Sequence, residues 1–153
     1  MPTIKSGCEF VIFTSMYGIR SKYFIFNGKK EGEYKEYDKN GQLIVICNYK
    51  NDKREGRYKK YHNNRQLYKI CNYKNDNIEG EYKKYYDNKQ ISEICNYKND
   101  IREGKYKSYY ENGQLEIICN YKKGKKEGKY EEYFKNGQSE IICNYKNGRL
   151  EEE

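Results

Sequence analysis

This chain has little from which to build a membrane span, an active site or a conventional core. Its longest apolar stretch is Phe10-Val11-Ile12-Phe13, against the about 20 residues a spanning helix needs. The N-terminal segment shows neither an apolar h-region nor a small-residue cleavage site, so no secretory leader is expected. The expectation is a soluble, cytoplasmic protein. Histidine occurs once, as His62, and no nucleophile motif, Gly-rich phosphate loop or paired carboxylates stand out. No catalytic residue, no cofactor and no enzymatic activity are therefore expected.

Apolar residues make up 35% of the chain and charged residues another 35%, which is poor material for a closed two-layer core. Low hydrophobicity of this kind accompanies disorder when aromatics are scarce. Here aromatics reach 16%, and their placement is regular, so a folded chain is expected.

What the sequence does have is a 24-residue repeat. A Glu-Gly pair recurs with its glycine at Gly32, Gly56, Gly80, Gly104 and Gly128. A first tyrosine follows at Tyr34, Tyr58, Tyr82, Tyr106 and Tyr130, and a second at Tyr37, Tyr61, Tyr85, Tyr109 and Tyr133. Each copy closes on Ile-Cys-Asn-Tyr-Lys, with cysteines at Cys47, Cys71, Cys95, Cys119 and Cys143. A fixed period of this length signals stacked supersecondary units, each too small to bury its own apolar face. Residues 1–28 read as a degenerate N-terminal capping hairpin, 29–150 as five hairpin repeats, and 151–153 as an acidic end that blunts an open strand edge.

Each unit parses into two strands. In the first copy, Gly32 to Asp38 and Leu43 to Lys50 flank Lys39-Asn40-Gly41-Gln42. Asn-Gly favours a type I′ hairpin turn, with positive φ at both central residues. It recurs at Asn112-Gly113 and Asn136-Gly137, while Asn64-Arg65 and Asn88-Lys89 should give softer turns. This register puts Tyr34 opposite Cys47 and Gly32 opposite Tyr49. A second turn centred on Asp52-Lys53 would set Lys50 against Glu55 and Tyr49 over Gly56, with glycine required to make room for the ring. Alternation places Tyr34, Leu43, Cys47 and Tyr49 on one face and Tyr37 and Ile46 on the other. The predicted fold is all-β, an elongated single-layer antiparallel sheet of tandem hairpins.

The cysteines suggest zinc or disulfides, and spacing argues against both. Equivalent positions in successive hairpins lie about 9.5 Å apart, beyond disulfide reach, and no Cys-x-x-Cys pair occurs. A ladder of buried thiols between tyrosines is expected, with no metal site. His62 occupies a slot filled elsewhere by Asp38, Tyr86, Tyr110 and Phe134, and reads as a surface or half-buried ring stack.

The formal net charge of +8 has two readings: the Lys, Asn, Ile and Tyr usage of an AT-rich genome, or an acidic partner. Lys50, Lys74, Lys98, Lys122 and Lys146 form one row, and the basic residues are densest at Lys122, Lys123, Lys125 and Lys126. These four are the candidate anion- and lipid-binding residues. A nucleic-acid backbone, with tyrosines as stacking platforms, is a weaker candidate. Against both stands pairing of the lysine row with the repeated glutamates.

The segment from Tyr109 to Tyr130, YYENGQLEIICNYKKGKKEGKY, resembles the MORN-repeat variant, a subtype often described in bacteria as antitoxin-like. The resemblance covers roughly residues 27 to 150. It implies hairpins laid side by side in an extended sheet, no catalytic residues, and roles as scaffold, dimerising rod or binder of acidic phospholipid. The chain departs from the better-known pattern in lacking tryptophan and in its repeated cysteine. Comparable arrays abound in large DNA viruses and protists, so a viral source fits. The expected function is a non-enzymatic scaffold binding a protein partner through Tyr37, Tyr61, Tyr85, Tyr109 and Tyr133, toxin neutralisation being a special case. The alternative is peripheral attachment to acidic phospholipid through the basic turns. A homodimer through the open sheet edge is a further expectation.

Overall fold

A computed structural model describes residues 7–151; residues 1–6 and the last two glutamates of the expected acidic end, Glu152 and Glu153, lie outside the described residues. Seventeen β-strands and no helix are present among the described residues. The chain divides into two compact units, Met1–Asn77 and Ile78–Glu153, each a single antiparallel layer of hairpins.

In the first unit the long strands are Glu9–Thr14, Arg20–Phe26, Lys29–Tyr37, Leu43–Lys50, Gly56–Tyr61 and Leu67–Lys74. Glu9–Thr14 pairs with Arg20–Phe26 as an antiparallel hairpin ahead of the first repeat. In the second unit the long strands are Gly80–Tyr85, Ile91–Lys98, Gly104–Tyr109, Leu115–Lys122, Gly128–Tyr133 and Ser139–Lys146. Two-residue strands such as Lys53–Arg54 and Lys125–Lys126 precede the Glu-Gly pairs.

Within each repeat the expected register is present. Tyr34 lies opposite Cys47 and Gly32 opposite Tyr49, and Tyr58, Tyr82, Tyr106 and Tyr130 oppose their cysteines likewise. The turn that produces it differs from the type I′ expectation. Gly41 donates its amide to Asp38 O, and Asp38 donates to Gln42 O. Neither Lys39 nor Asn40 has positive φ; only Gly41 does, at +80°. The following residue therefore carries the left-handed conformation, as Arg65 and Lys89 also do at +69° and +74°. Asparagine acts instead through its side chain: Asn64, Asn88, Asn112 and Asn136 accept the amide two residues on. The longer connection inserts one extra residue, Ile44, so Tyr37 opposes Leu43. Leu43 therefore lies with Tyr37 and not with Tyr34.

The type I′ geometry occurs between repeats. Asn51 and Asp52 have φ of +50° and +67°, and this two-residue turn sets Lys50 opposite Lys53 and Tyr49 opposite Arg54. The expected Lys50–Glu55 pair is thereby overturned, because the turn lies one residue earlier than Asp52-Lys53. Farther along, Ile46 opposes Lys59: three residues separate Tyr49 from Ile46 and five separate Arg54 from Lys59. The two extra residues are taken up at Glu55 and Gly56, where Glu55 donates its amide to Asn48 O. Gly56 has φ +78°, and a Cβ there would meet nothing within 4 Å. The glycine is required for its backbone conformation, not to make room for a tyrosine ring.

Glu55 has another role. Its carboxylate accepts the Asn75 amide at 2.9 Å, and Glu31, Glu79, Glu103 and Glu127 accept the equivalent amides of Asn51, Asn99, Lys123 and Asn147. A second bond reinforces each step, as where Asp76 donates to Arg54 O and Gly124 to Arg102 O. Each inter-repeat turn is thus held by the copy before it, which satisfies backbone groups that a turn would otherwise leave to water.

Candidate functional site

Alternation separates the tyrosines onto two chemically different faces. On the first, Cys47, Cys71, Cys95 and Cys119 are buried as free thiols, which is the thiol ladder expected. Burial pushes the Cys47 and Cys95 thiols up to about 11, so they are poor nucleophiles at neutral pH. Over them stand edge-on tyrosine pairs. Ring centroids are 5.4 Å apart in Tyr34–Tyr49 and Tyr58–Tyr73, and 5.6 Å in Tyr130–Tyr145, inside the range where aromatic pairs attract.

Cations sit against these rings. Arg54 Cζ is 4.0 Å from the Tyr73 centroid, and Lys126 Nζ is 4.0 Å from Tyr130 and 4.7 Å from Tyr145. Lys30 reaches Tyr34 and Tyr49, and Arg102 reaches Tyr106 and Tyr121. Carboxylates complete the arrangement. Arg54 Nε donates to Asp76 at 2.7 Å, Arg102 donates to Glu93 at 2.8 Å, and Tyr34 and Tyr130 donate to Glu36 and Glu132. Burial pushes the Tyr34 and Tyr106 hydroxyls up to about 12. This face is largely occupied by its own contacts.

The sequence reading missed the inserted cations. The signal was present: the residue before Glu-Gly is Lys30, Arg54, Arg102 or Lys126 in four copies, with Ile78 in the fifth.

The opposite face carries all five tyrosines expected to bind a partner. Tyr37, Tyr61, Tyr85, Tyr109 and Tyr133 are half-buried, each opposite an apolar residue (Leu43, Leu67, Ile91, Leu115) or, for Tyr133, opposite Ser139. One row away, Lys35, Lys59, Lys83 and Lys107 oppose Ile46, Ile70, Ile94 and Ile118. Ion pairs of 2.6 Å and 2.8 Å join Lys35 to Glu33 and Lys83 to Glu81. This face thus offers aromatic and aliphatic rows flanked by lysine.

The four lysines of the basic cluster differ in their surroundings. Lys122 opposes Lys125 across the Lys123-Gly124 turn, and these three lysines are exposed. Lys126 points the other way, onto Tyr130 and Tyr145. His62 is half-buried with its ring 4.8 Å from Tyr68, edge-on, as expected of a ring stack. Among the described residues no cluster of His, Cys, Asp and Glu is arranged to hold a metal ion, and no helix is long and apolar enough to cross a membrane.

No curated protein matches the chain. Among solved structures, "Crystal structure of GtfA/B complex bound to UDP and GlcNAc" is similar to it at 10% identity and a TM-score of 0.27, covering 93% of this chain and 25% of that chain. This chain thus spans about a quarter of that one, and the likeness is too slight to bear on fold or function. The MORN repeat variant matches residues 30–51, 54–75, 78–99, 102–123 and 126–147, one segment for each hairpin copy. With those five segments covering most of its length, the chain belongs to the MORN repeat variant family.

Proposed function

We propose that this MORN-repeat chain is a non-enzymatic scaffold that receives a protein partner on the face bearing Tyr37, Tyr61, Tyr85, Tyr109 and Tyr133. The division between the two faces carries this reading. On the cysteine face the rings pair edge-on with cations against them, whereas the opposite column, where Arg20 and Lys22 reach Tyr37 and Tyr133 donates to Glu131, sets tyrosine beside leucine and isoleucine with lysine at its border. Tyrosine gives large contact area at low entropy cost and a hydroxyl that finds polar partners. Neutralisation of a toxin would be one instance of such docking. The test is capture from native lysate with nuclease treatment and a high-salt wash. One protein should be retained in stoichiometric amount and lost from a Tyr85→Ala/Tyr109→Ala variant whose β-sheet circular dichroism is intact. Retention undiminished by that variant would place docking elsewhere.

A second reading is attachment to acidic phospholipid at the Lys123-Gly124 turn. Lys122 and Lys125 face one another there, and an anion between them relieves their repulsion. Substituting Lys122, Lys123 and Lys125 with glutamate should abolish sedimentation with phosphatidylserine vesicles; unchanged sedimentation rules the turn out.

A further inference from the structure

We propose that the last long strand of one copy of this chain, Ser139–Lys146, pairs edge to edge with the first strand, Glu9–Thr14, of a second copy. The pairing between repeats shows what the last strand lacks. Val45 and Ile46, Glu93 and Ile94, and Ile117 and Ile118 each pair with a strand of the following copy, and all are buried or half-buried. Ile141 and Ile142 are the corresponding residues of the last copy. Their strand pairs with Gly128–Tyr133 and, at its far end, with Arg149–Leu150, and no strand covers them among the described residues. They are 44% and 58% exposed. Cys143 beside them is half-buried, where Cys47, Cys71, Cys95 and Cys119 are buried.

Glu9–Thr14 has the matching gap. Among the described residues it pairs on one side only, with Arg20–Phe26. Its edge runs Val11-Ile12-Phe13-Thr14 with no charge, proline or bulge, the features that normally blunt a free edge. Phe10, Ile12 and Phe13 are just over half exposed.

Backbone direction restricts the register. Ser15 donates to Ile19 O, so by alternation Phe13 and Val11 turn their amides inward and Thr14 and Ile12 outward. On the last strand Glu151 donates to Asn144 O, so Asn144 and Ile142 face outward. Ile12 and Ile142 can therefore exchange both backbone bonds, which sets Val11 opposite Cys143, Phe13 opposite Ile141 and Thr14 opposite Glu140. A shift of two residues one way sets Ile12 against Glu140. The other way runs Ile12 into Asn144, whose carbonyl Glu151 already holds.

The faces and charges agree with this register. Val11 lies opposite Tyr23, and Tyr23 stacks on Tyr34, so Phe13 and Ile141 share the cysteine face while Ile12 and Ile142 share the other. Arg20 lies opposite Thr14 within the hairpin, so Arg20 and Glu140 flank Thr14 with opposite charge. Like edges match less well. Two last strands paired through Ile141 set Glu140 against each Ile142, and two first strands leave Ile141 and Ile142 bare. The contact is therefore heterologous, unlike a symmetric homodimer through one edge, and each bound copy keeps an edge for another.

Sedimentation velocity of the full chain over a concentration series tests this. Wild type should gain mass as concentration rises. Ile12→Glu/Phe13→Glu, which blocks the first edge, and Ile141→Glu/Ile142→Glu, which blocks the last, should each stay at single-chain mass. Mixed, they should form a complex of one chain of each and nothing larger, since each retains one intact edge. Circular dichroism confirms that each variant is folded, and Ile12→Lys or Ile142→Lys replaces one that is not. Wild type of constant mass would overturn the proposal, as would a mixture that stays at single-chain mass. Self-association of either blocked variant alone would overturn it too, because like edges would then be pairing.

Discussion

Glu55 and Asn75 stand twenty residues apart in the chain and are joined by a 2.9 Å hydrogen bond from the Asn75 amide to the Glu55 carboxylate. The repeated glutamate therefore holds a turn of the next copy and does not pair with the lysine row. Glu55→Ala should lower unfolding free energy by about 1–2 kcal/mol, the usual cost of losing a charged acceptor. Glu55→Gln should cost less. Urea denaturation measures both, and an Ala variant with an unaltered midpoint would show that water replaces the carboxylate.

Gly56 is surrounded by open space yet has φ +78°. Gly56→Ala should cost about 1–2 kcal/mol through the left-handed backbone alone, with no steric contribution. The converse holds at Arg65 and Lys89, which adopt positive φ without being glycine. Arg65→Gly and Lys89→Gly should each raise stability by up to about 1 kcal/mol, the backbone relief less the added unfolded-state entropy. If those two variants are destabilised, the turns are not strained.

Alkaline pH should loosen the cysteine face. Tyr34 and Tyr106 are raised to about 12, and Cys47 and Cys95 to about 11, in each case mainly by burial. The folded state holds these protons more tightly than the unfolded chain does. Their contribution is fully present below the unfolded values near 8.5 for Cys and 10 for Tyr, and is lost as pH climbs toward about 12. Urea midpoints should fall steadily between pH 9 and 12, and a flat profile would contradict the burial of these groups. Iodoacetamide at pH 8 should label half-buried Cys8 and Cys143 before the four buried thiols.

Arg54 bridges two copies within the first unit, stacked on Tyr73 and bonded to Asp76. Arg54→Ala should cost about 1–2 kcal/mol, and Arg54→Lys should recover only part, since lysine keeps the charge and loses the planar fork. The Arg54 hydrogen bond holds the Asp76 carboxyl below its ordinary value. That contribution is present above about pH 4 and fades as pH falls. Denaturation at pH 3 and 7 should therefore separate wild type from Arg54→Ala less at the lower pH.

The sequence made the repeat, the hairpins and the Tyr34–Cys47 register legible because a 24-residue period and a two-residue alternation constrain each other. It misled at the turns. Asn40-Gly41 carries the strongest two-residue turn signal, yet Asp38 takes the Asn40 and Gln42 amides on its carboxylate and lengthens the connection. Asn51-Asp52, a weaker signal, forms the mirror-image turn. The glutamate's partner was invisible because it lies in another copy, beyond any pairing drawn within one hairpin. The two tyrosine columns could be assigned to opposite faces from alternation alone. That one column is filled by cations depends on where Arg54 and Lys126 reach, which no periodicity states.

The glutamate bonds between copies have a direction. Whereas the Asp52, Asp76 and Asp100 carboxylates receive the Lys30, Arg54 and Ile78 amides from earlier in the chain, Glu103 receives the Lys123 amide, and Glu127 receives that of Asn147; in each of these glutamate bonds the acceptor precedes its donor. A ribosome emits residues in that same order, so each copy is available as a template before the turn that leans on it has been made. Each new hairpin therefore finds its glutamate support already made and in turn secures, through its aspartate, an amide of the copy before, so a defect in one hairpin weakens both of its neighbours.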